Sequence, residues 1–342
     1  MMKKLEQMSA KERFMGCLFR KETDRVSVAN PTSVATVELM EITNAFFPDV
    51  HLNSEKMAAL AAAGYEILGY DTISPYFSVQ QEAAALGCNV DWGELDSMPV
   101  VRTHPVEKPD DFQFPSDFLD RQPIKTVIDA IKLLKKKYGN QVAIVGKVMG
   151  PWTLSYNLHG VQDFLLKTIL DPQEVREFLQ VFKPVTIAFA NAQLEAGADV
   201  ITLADHATGD MVSGETYRDF LLGVHQELAK AIHGPIILHI CGKTLDRMSY
   251  IAQTGFEAFH FDSKNGAKNA KETVEEKIVL VGDINNPQTL LKGEPEDVRK
   301  EVYEALSAGV EIIAPECAVP LRTPNKNLKA IVDNVRAYSR SL

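Results

Sequence analysis

Short apolar segments alternate with longer amphipathic ones along almost all of this 342-residue chain, and that alternation constrains the fold more than any other feature. Each apolar segment is rich in Val, Ile or Phe and too short for a helix, which is typical of strands buried on both faces. Parallel strands of this kind need a long, usually helical, connection between them. The sequence predicts eight strands: Val26–Asn30, Asp71–Tyr76, Val142–Val148, Asp199–Ala204, Pro235–Ile240, Glu257–Phe261, Ile278–Gly282 and Glu311–Pro315.

The longer segments have apolar residues at helical spacing. The clearest helix start is the sequence DPQE from Asp171, which offers an N-cap Asp, a Pro at the first helical position and a Glu at the capping-box position. This helix is predicted to run to about Ala196, with Gly197 as its C-cap. The other predicted helices are Glu55–Leu68, Pro123–Tyr138, Gly214–Ala231, Thr244–Thr254, Pro295–Ser307 and Pro324–Ser339.

Eight strands with interleaved helices predict one (β/α)8 barrel domain over residues 1–342. An open, doubly wound sheet is the alternative, because a sequence pattern does not show closure. A helix at Ala10–Phe19 precedes the first strand and is expected to close the bottom of the barrel. Residues 87–122 form a long irregular insertion after strand two, which is predicted to lie over the top face.

Composition excludes several classes of function. Hydrophobic residues make up 45% of the chain, enough for a large core, and the net charge of −10 without a Lys/Arg stripe argues against a nucleic-acid partner. No run approaches the ~18 apolar residues of a membrane span, and the basic N-terminus lacks the apolar core of a signal peptide. The four cysteines are too widely spaced for a secreted disulfide framework, so a reducing cytoplasm is expected.

Chemistry in a (β/α)8 barrel gathers at the carboxyl ends of the strands. His239 and Cys241, in the segment LHICGK, end strand five and point to the same side because they are two residues apart. Cys317, in APECAVP, ends strand eight and reaches the same mouth. One His and two Cys with an open fourth position predict a catalytic zinc site. Asp262 is expected to occupy the fourth position when no substrate is bound.

The alternative interpretations are structural. His239 and Cys241 alone favour two core residues, since cysteine is among the most buried residue types, and Cys317 adds weight only if the barrel is right. Asp205 and His206 are as well explained by a rim pair that caps the next helix as by a catalytic role. His206 as a general base without metal is a weaker hypothesis.

Four residues near strand ends are predicted to contact cofactor or substrate: Tyr76, Asp205, His206 and Asp283. His260 shares a face with Asp262 and is a plausible partner of the metal ligands. Cys17 is interpreted as a small core residue.

Several segments resemble the uroporphyrinogen decarboxylase superfamily. These are SAKERFMGCLFRKETDRVSVAN at the start, GKVMGPWTLSYNL after strand three and VGDINNPQTLL at strand seven. The pair His239-x-Cys241, together with APECAVPLRTPNKNLKAIVDNV, is similar to the zinc-dependent methylcobamide:coenzyme M methyltransferase branch. The decarboxylases carry arginines after strand one, whereas this chain reads VANPTSVATVELME there, and Ser78 or a neighbour stands where they have an Asp after strand two. The methyltransferase branch typically has TQTG after strand one, where this chain has NPTS.

The resemblance implies a function. Zn²⁺ would be held by His239, Cys241 and Cys317, and an acidic fourth ligand, displaced by the thiol, would fall on Asp262. A methyl group would move from a methylcobamide, carried by a separate corrinoid protein, to the thiol of coenzyme M during methanogenesis from methylated compounds. Residues 87–122 would form part of the surface that docks the carrier. A metal-free lyase, another thiol acceptor, or a non-catalytic carrier partner with a structural zinc are the alternatives.

Overall fold

A computed structural model describes residues 7–341, and eight parallel strands form a barrel at its centre. Their order is β1-β8-β7-β6-β5-β4-β3-β2 around the sheet. Between β2 and β1 the Asp71 N–H donates to Val28 O at 2.7 Å, and the Val28 N–H donates to the Asp71 carboxylate at 2.9 Å. The predicted (β/α)8 barrel is therefore confirmed. The strands are β1 Ser27–Val28, β2 Thr72–Ile73, β3 Ala143–Met149, β4 Val200–Ala204, β5 Ile236–His239, β6 Ala258–His260, β7 Val279–Ile284 and β8 Ile312–Pro315.

Helices connect the strands and surround them. Helix α9, Gly214–Thr216, continues through a wider π-helical turn, Tyr217–Leu222, into helix α10, Gly223–Ala231. Shorter helical turns include Asp49–Leu52, Leu245–Arg247 and Ser263–Asn265. The helices are α1 Ala10–Leu18, α2 Val37–Thr43, α3 Ser54–Glu66, α4 Gln81–Ala85, α5 Gln122–Tyr138, α6 Pro151–Leu158, α7 Val161–Leu170, α8 Pro172–Ala196, α9 Gly214–Thr216, α10 Gly223–Ala231, α11 Met248–Ile251, α12 Ala267–Val274, α13 Pro295–Ala308 and α14 Asn325–Ser341.

Most predicted elements are found, with ends that differ from the prediction by a few residues. The Asp171 carboxylate accepts the Glu174 N–H at 3.2 Å, and Gly197 ends α8 with a φ of 116°, as predicted. Strands β1 and β2 are shorter than predicted because Pro31 and Pro75 follow closely and cannot donate to a ladder. Of the predicted Thr244–Thr254 helix only short pieces form. Helices α2, α4, α6, α7 and α12 were not predicted.

The bottom of the barrel is filled by α1. Phe14 and Leu18 from this helix pack with inward-facing residues such as Val145, Ile237 and Val281, in a cluster that also contains Cys17. Phe14 is fully buried. The predictions that the first helix closes the bottom and that Cys17 is a core residue are confirmed.

In the layer above this plug, the residues that face the barrel interior are polar. Inward positions recur every second residue along a strand, so Val145 leads to Lys147, Ile237 leads to His239 and the buried Ala258 leads to His260. All three polar residues are buried. The mouth of the barrel therefore has a polar floor that rests on an apolar plug.

The insertion after β2 lies partly over the top face. A hairpin pairs Val90–Asp91 with Val100–Val101, and Asp96 in its turn accepts Arg322 Nε at 3.0 Å from the segment after β8. The second half runs down the flank, where Phe112 packs edge-on against Phe182 of α8. The prediction that residues 87–122 lie over the top face is thus confirmed for the hairpin alone.

None of the helices between residues 7 and 341 combines the length and apolar character that crossing a bilayer requires. The basic residues at the start of the chain, where no signal peptide is predicted, fall in part within residues 1–6, outside the described residues.

Candidate metal centre

The three predicted ligands converge at the barrel mouth. His239 Nε2 lies 3.0 Å from Cys241 Sγ and 3.4 Å from Cys317 Sγ, and the two sulfur atoms are 3.0 Å apart. Ligand atoms on a tetrahedral zinc ion, with bonds of about 2.0–2.3 Å, are separated by about 3.3–3.8 Å. The observed triangle is close to that size, and its two thiols and one imidazole are ligands that zinc prefers over magnesium or calcium.

His239 is held in the form that binds a metal. Its Nδ1 lies 3.3 Å from the carbonyl oxygen of His260 and donates to it, which leaves the Nε2 lone pair directed at the two sulfurs. Burial lowers the pKa of His239 well below its usual value, so the ring is neutral at physiological pH. His260 therefore supports the ligand through its backbone. Its own Nε2 donates to Pro315 O at 2.7 Å, next to the segment that carries Cys317.

A hydrogen bond joins the two cysteines, which form no disulfide and have their sulfur atoms 3.0 Å apart. This hydrogen bond from Cys241 lowers the pKa of Cys317. The Ala318 N–H and the Lys147 ammonium add to this effect. The pKa of Cys241 is raised well above its usual value by the same hydrogen bond and by desolvation. A divalent cation in this site would displace the thiol protons.

Lys147 supplies a positive charge beneath the cysteines. It is 2% exposed, its Nζ donates to Thr32 O at 3.2 Å, and it lies 4.7 Å from the centre of the Tyr76 ring. Burial lowers its pKa to about 8, against the opposing effect of Cys317, Glu82 and Cys241. Within residues 7–341 no carboxylate comes within ion-pair distance of this ammonium. Lys147 falls within the predicted strand Val142–Val148, and the sequence assigned it no role.

Asp262 orients the turn that carries Cys241. Its Oδ2 accepts the Gly242 N–H at 2.8 Å and its Oδ1 accepts the Lys264 N–H at 2.9 Å. Gly242 has a φ of 77°, a conformation that glycine adopts without strain. The carboxylate thus holds two adjacent loops together. Its expected place as fourth metal ligand stays a prediction.

Glu316, which sequence reasoning missed, ties three loops of the mouth together. Its carboxylate accepts the backbone N–H of Ser263 at 3.1 Å, the Ser263 hydroxyl, and the N–H of Asn286 at 2.9 Å. These contacts join the segments after β6, β7 and β8. The only sequence signal was its position next to Cys317, which did not distinguish it from a surface residue.

Asp205 and His206 have different environments. Asp205 is fully buried: it accepts from the Thr153 N–H at 2.8 Å, and His225 Nε2 lies 3.0 Å from its other oxygen. His206 faces the metal centre, with its ligand atom in a group with those of His239 and Cys241 that are all within 4.8 Å of one another. The structure brings His206 to the site, but it gives no support to the expected contact between Asp205 and a cofactor.

Tyr76 and Asp283 are not at the open mouth. Tyr76 is fully buried, and its hydroxyl donates to Glu82. Asp283 lies in a groove of about 980 Å³ between α12 and α13, outside the barrel. Burial and the nearby Glu301 raise its pKa to about 7. The structure therefore does not bring either residue to a position where the expected cofactor contact would form, although the Lys147 ammonium lies 4.7 Å from the centre of the Tyr76 ring.

Fold and site together define a (β/α)8-barrel protein with a candidate metal centre, lined by cysteine and histidine, at the carboxyl ends of its strands. The family model described as Uroporphyrinogen decarboxylase (URO-D) matches residues 9–338, and the chain belongs to this family.

Within the family the chain is similar to methyltransferases. It is 35% identical over 331 residues to "Methylcobamide:CoM methyltransferase MtaA" of Methanosarcina barkeri, covering 96% of this chain and 98% of the relative. It is 33% identical to "Methylated-thiol--coenzyme M methyltransferase" of Methanosarcina mazei, covering 96% and 89%. A solved structure titled "methyltransferase from Methanosarcina mazei" superposes with a TM-score of 0.94 at 34% identity, covering 97% and 99%. A uroporphyrinogen decarboxylase of a Wolbachia species is 26% identical over 306 residues. The resemblance found in the sequence is confirmed.

Proposed function

We propose that this protein is a zinc-dependent methylcobamide:coenzyme M methyltransferase, which transfers a methyl group from a methylated corrinoid to the thiol of coenzyme M. The observation that carries the proposal is the convergence of His239 Nε2 with the sulfurs of Cys241 and Cys317 within 3.4 Å. It occurs in a chain that is 35% identical to a methyltransferase of that name.

The residues supply what the transfer needs. A zinc ion bound by His239, Cys241 and Cys317 would lower the pKa of a substrate thiol and hold it as thiolate, the nucleophilic form. The two cysteine thiolates offset the 2+ charge, which leaves electron density on the substrate sulfur. The His260 carbonyl, through His239, keeps the imidazole lone pair directed at the site.

The bonds balance without a catalytic acid at the methyl group. The thiol S–H proton goes to solvent, the carbon–cobalt bond breaks, and a carbon–sulfur bond forms. Cobalt keeps the bonding electron pair and leaves as Co(I). The protein has only to hold sulfur and methyl carbon in line, at about 3–3.5 Å.

We propose that the corrinoid arrives on a separate carrier protein, as the resemblance implies. We also propose that the hairpin of the insertion contacts such a carrier. Its Met98 lines a cleft of about 150 Å³ with Ala318 and Val319, directly after Cys317. A reducing cytoplasm, the expected location, would keep both cysteines as thiols.

A metal-free decarboxylase reaction is the less favoured alternative. Residues 28–41, which follow the first strand, contain no arginine to bind substrate carboxylates. The decarboxylase relatives also share lower identity, such as 26% for the Wolbachia protein.

The first experiment is elemental analysis of protein purified without a histidine tag, followed by addition of coenzyme M and methylcobalamin. We expect close to one zinc per chain and a coenzyme M-dependent loss of methylcobalamin absorbance. Protein without zinc, or zinc protein that leaves methylcobalamin unchanged at saturating coenzyme M, would contradict the proposal.

A further inference from the structure

We propose that His206 is the fourth zinc ligand of the resting enzyme and that it leaves the metal when the substrate thiol binds. This inference rests on the proposed zinc function. It assigns the fourth position to an imidazole, in place of the acidic ligand that the resemblance implied.

The first argument is geometric. The ligand atom of His206 lies within 4.8 Å of both His239 and Cys241 ligand atoms. The rings of His206 and His239 are 5.9 Å apart between centroids and nearly perpendicular, at 89°. Two imidazoles on one tetrahedral zinc have centroids about 5 Å apart, given zinc–nitrogen bonds of about 2.0–2.1 Å. A movement of about 1 Å therefore brings the two imidazoles to the separation that a shared zinc ion requires, next to the sulfur of Cys241.

The second argument is the orientation of the ring. Thr153 Oγ1 lies 3.4 Å from His206 Nδ1 and accepts the backbone N–H of His206 at 2.8 Å. The same hydroxyl donates to Asp205 Oδ1 at 3.2 Å. Since its one proton is directed to the carboxylate, the hydroxyl accepts from Nδ1–H and leaves Nε2 with a free lone pair. A carboxylate, a hydroxyl and an imidazole in this order resemble the supporting hydrogen bonds of known metal-bound histidines.

The third argument concerns the competing ligand. Both oxygens of Asp262 already accept backbone N–H groups, from Gly242 and Lys264. To bind the metal in place of a hydrogen bond, Asp262 would have to release the turn that carries Cys241. His206 Nε2 has no hydrogen-bond partner within residues 7–341, so coordination by His206 breaks no contact. A neutral imidazole is also a weaker ligand for zinc than a thiolate, which suits a position that substrate must take over.

The test is zinc X-ray absorption spectroscopy, in which each imidazole ligand gives a characteristic multiple-scattering signal. In the wild-type resting enzyme we expect two sulfur and two imidazole ligands. After coenzyme M is added we expect three sulfurs and one imidazole. Resting His206→Gln protein should show one imidazole and one lighter atom, and with thiol it should match the wild type. His233→Gln changes an exposed histidine and should leave both spectra unaltered.

Zinc affinity gives an independent readout. In competition with a chelator, His206→Gln should bind zinc roughly tenfold or more weakly than wild type without thiol, and the difference should vanish at saturating coenzyme M. A single imidazole in resting wild-type protein would overturn the inference without any variant. So would an unchanged imidazole count in His206→Gln. An Asp262→Asn protein that loses one light-atom ligand and keeps one imidazole would assign the position to Asp262. If the proposed function itself is wrong, elemental analysis of the wild-type protein will find no zinc, before any variant is made.

Discussion

Asp262→Asn tests whether the metal centre depends on the turn that follows Cys241. The asparagine keeps the shape of the side chain but offers one acceptor oxygen to two backbone N–H groups, now 2.8 and 2.9 Å from the carboxylate. One hydrogen bond to a charged group, worth about 1.5–3 kcal/mol, is lost, and a buried N–H is left without an acceptor at a similar cost. We expect the free energy of unfolding to fall by about 3 kcal/mol.

The thermal shift follows from the chain length. Unfolding entropy near the midpoint is about 2.1 cal/mol/K per residue, so about 3 kcal/mol in a chain of 342 residues lowers Tm by about 4 °C. Zinc affinity should fall by about 10–100-fold, because Cys241 is no longer held next to Cys317. Calorimetry of zinc-free protein and competition with a chelator measure the two effects.

Asp210→Asn is the matched control. Asp210 is a neighbouring, exposed carboxylate that forms a solvent-exposed ion pair with Lys264, whose Nζ lies 3.4 Å away. Such pairs contribute little, and we expect a Tm within about 1 °C of the wild type. The reasoning is refuted if Asp262→Asn has wild-type Tm and zinc affinity, or if the two variants behave alike.

Three further predictions concern the proposed metal ligands and the bottom of the barrel, which α1 closes. Cys241→Ala and Cys317→Ala should each lose zinc and methyl transfer but keep the circular dichroism spectrum of the wild type; an active, zinc-free variant would contradict the ligand assignment. In zinc-free protein at pH 7, iodoacetamide should modify Cys317, whose pKa is lowered, faster than Cys88, whose pKa is raised to about 12 by burial. Mass spectrometry would measure the rates, and equal rates would argue against a lowered pKa of Cys317. Phe14→Ala should lower the free energy of unfolding by about 3–5 kcal/mol, as measured by denaturant titration, because Phe14 is fully buried in the bottom of the barrel; a loss below 1 kcal/mol would mean that α1 does not close it.

The strands could be predicted because a barrel strand is buried on both faces and leaves an apolar segment in the sequence. Helices are predicted from one apolar and one polar face, and two of the helices that were not predicted lack this pattern. Helix α6 is buried on almost every side, so it has no polar stripe to reveal its period. Helix α7 exposes apolar residues, with Ile169 81% and Leu170 78% accessible. A periodicity argument assumes one apolar and one polar face, and neither helix has both.

The convergence of His239, Cys241 and Cys317 could be predicted for a similar reason. His239 and Cys241 share a strand, so their common direction follows from the two-residue repeat, and Cys317 joins them once eight strands close. Glu316 and Lys147 could not be found in this way. Glu316 acts by joining loops after three different strands, and Lys147 matters because its ammonium ends beneath two cysteines from distant segments. Contacts of this kind depend on loop conformations that no repeat in the sequence encodes.

The layering of the barrel links the plug to the chemistry. The same alternation that places Val145 and Ile237 against α1 places Lys147 and His239 directly above them. Because His239 is buried above this apolar plug, its pKa is lowered well below the usual value, which keeps its lone pair free of a proton. Burial also lowers the pKa of Lys147 to about 8, yet leaves it charged for most of the time at neutral pH. A positive charge that water does not screen acts strongly on nearby thiolates. The proposed zinc site would be anionic once a substrate thiolate binds, and Lys147 would then stabilise it more than the same charge on the surface could. The closed bottom of the barrel is thus part of the design of the proposed metal centre.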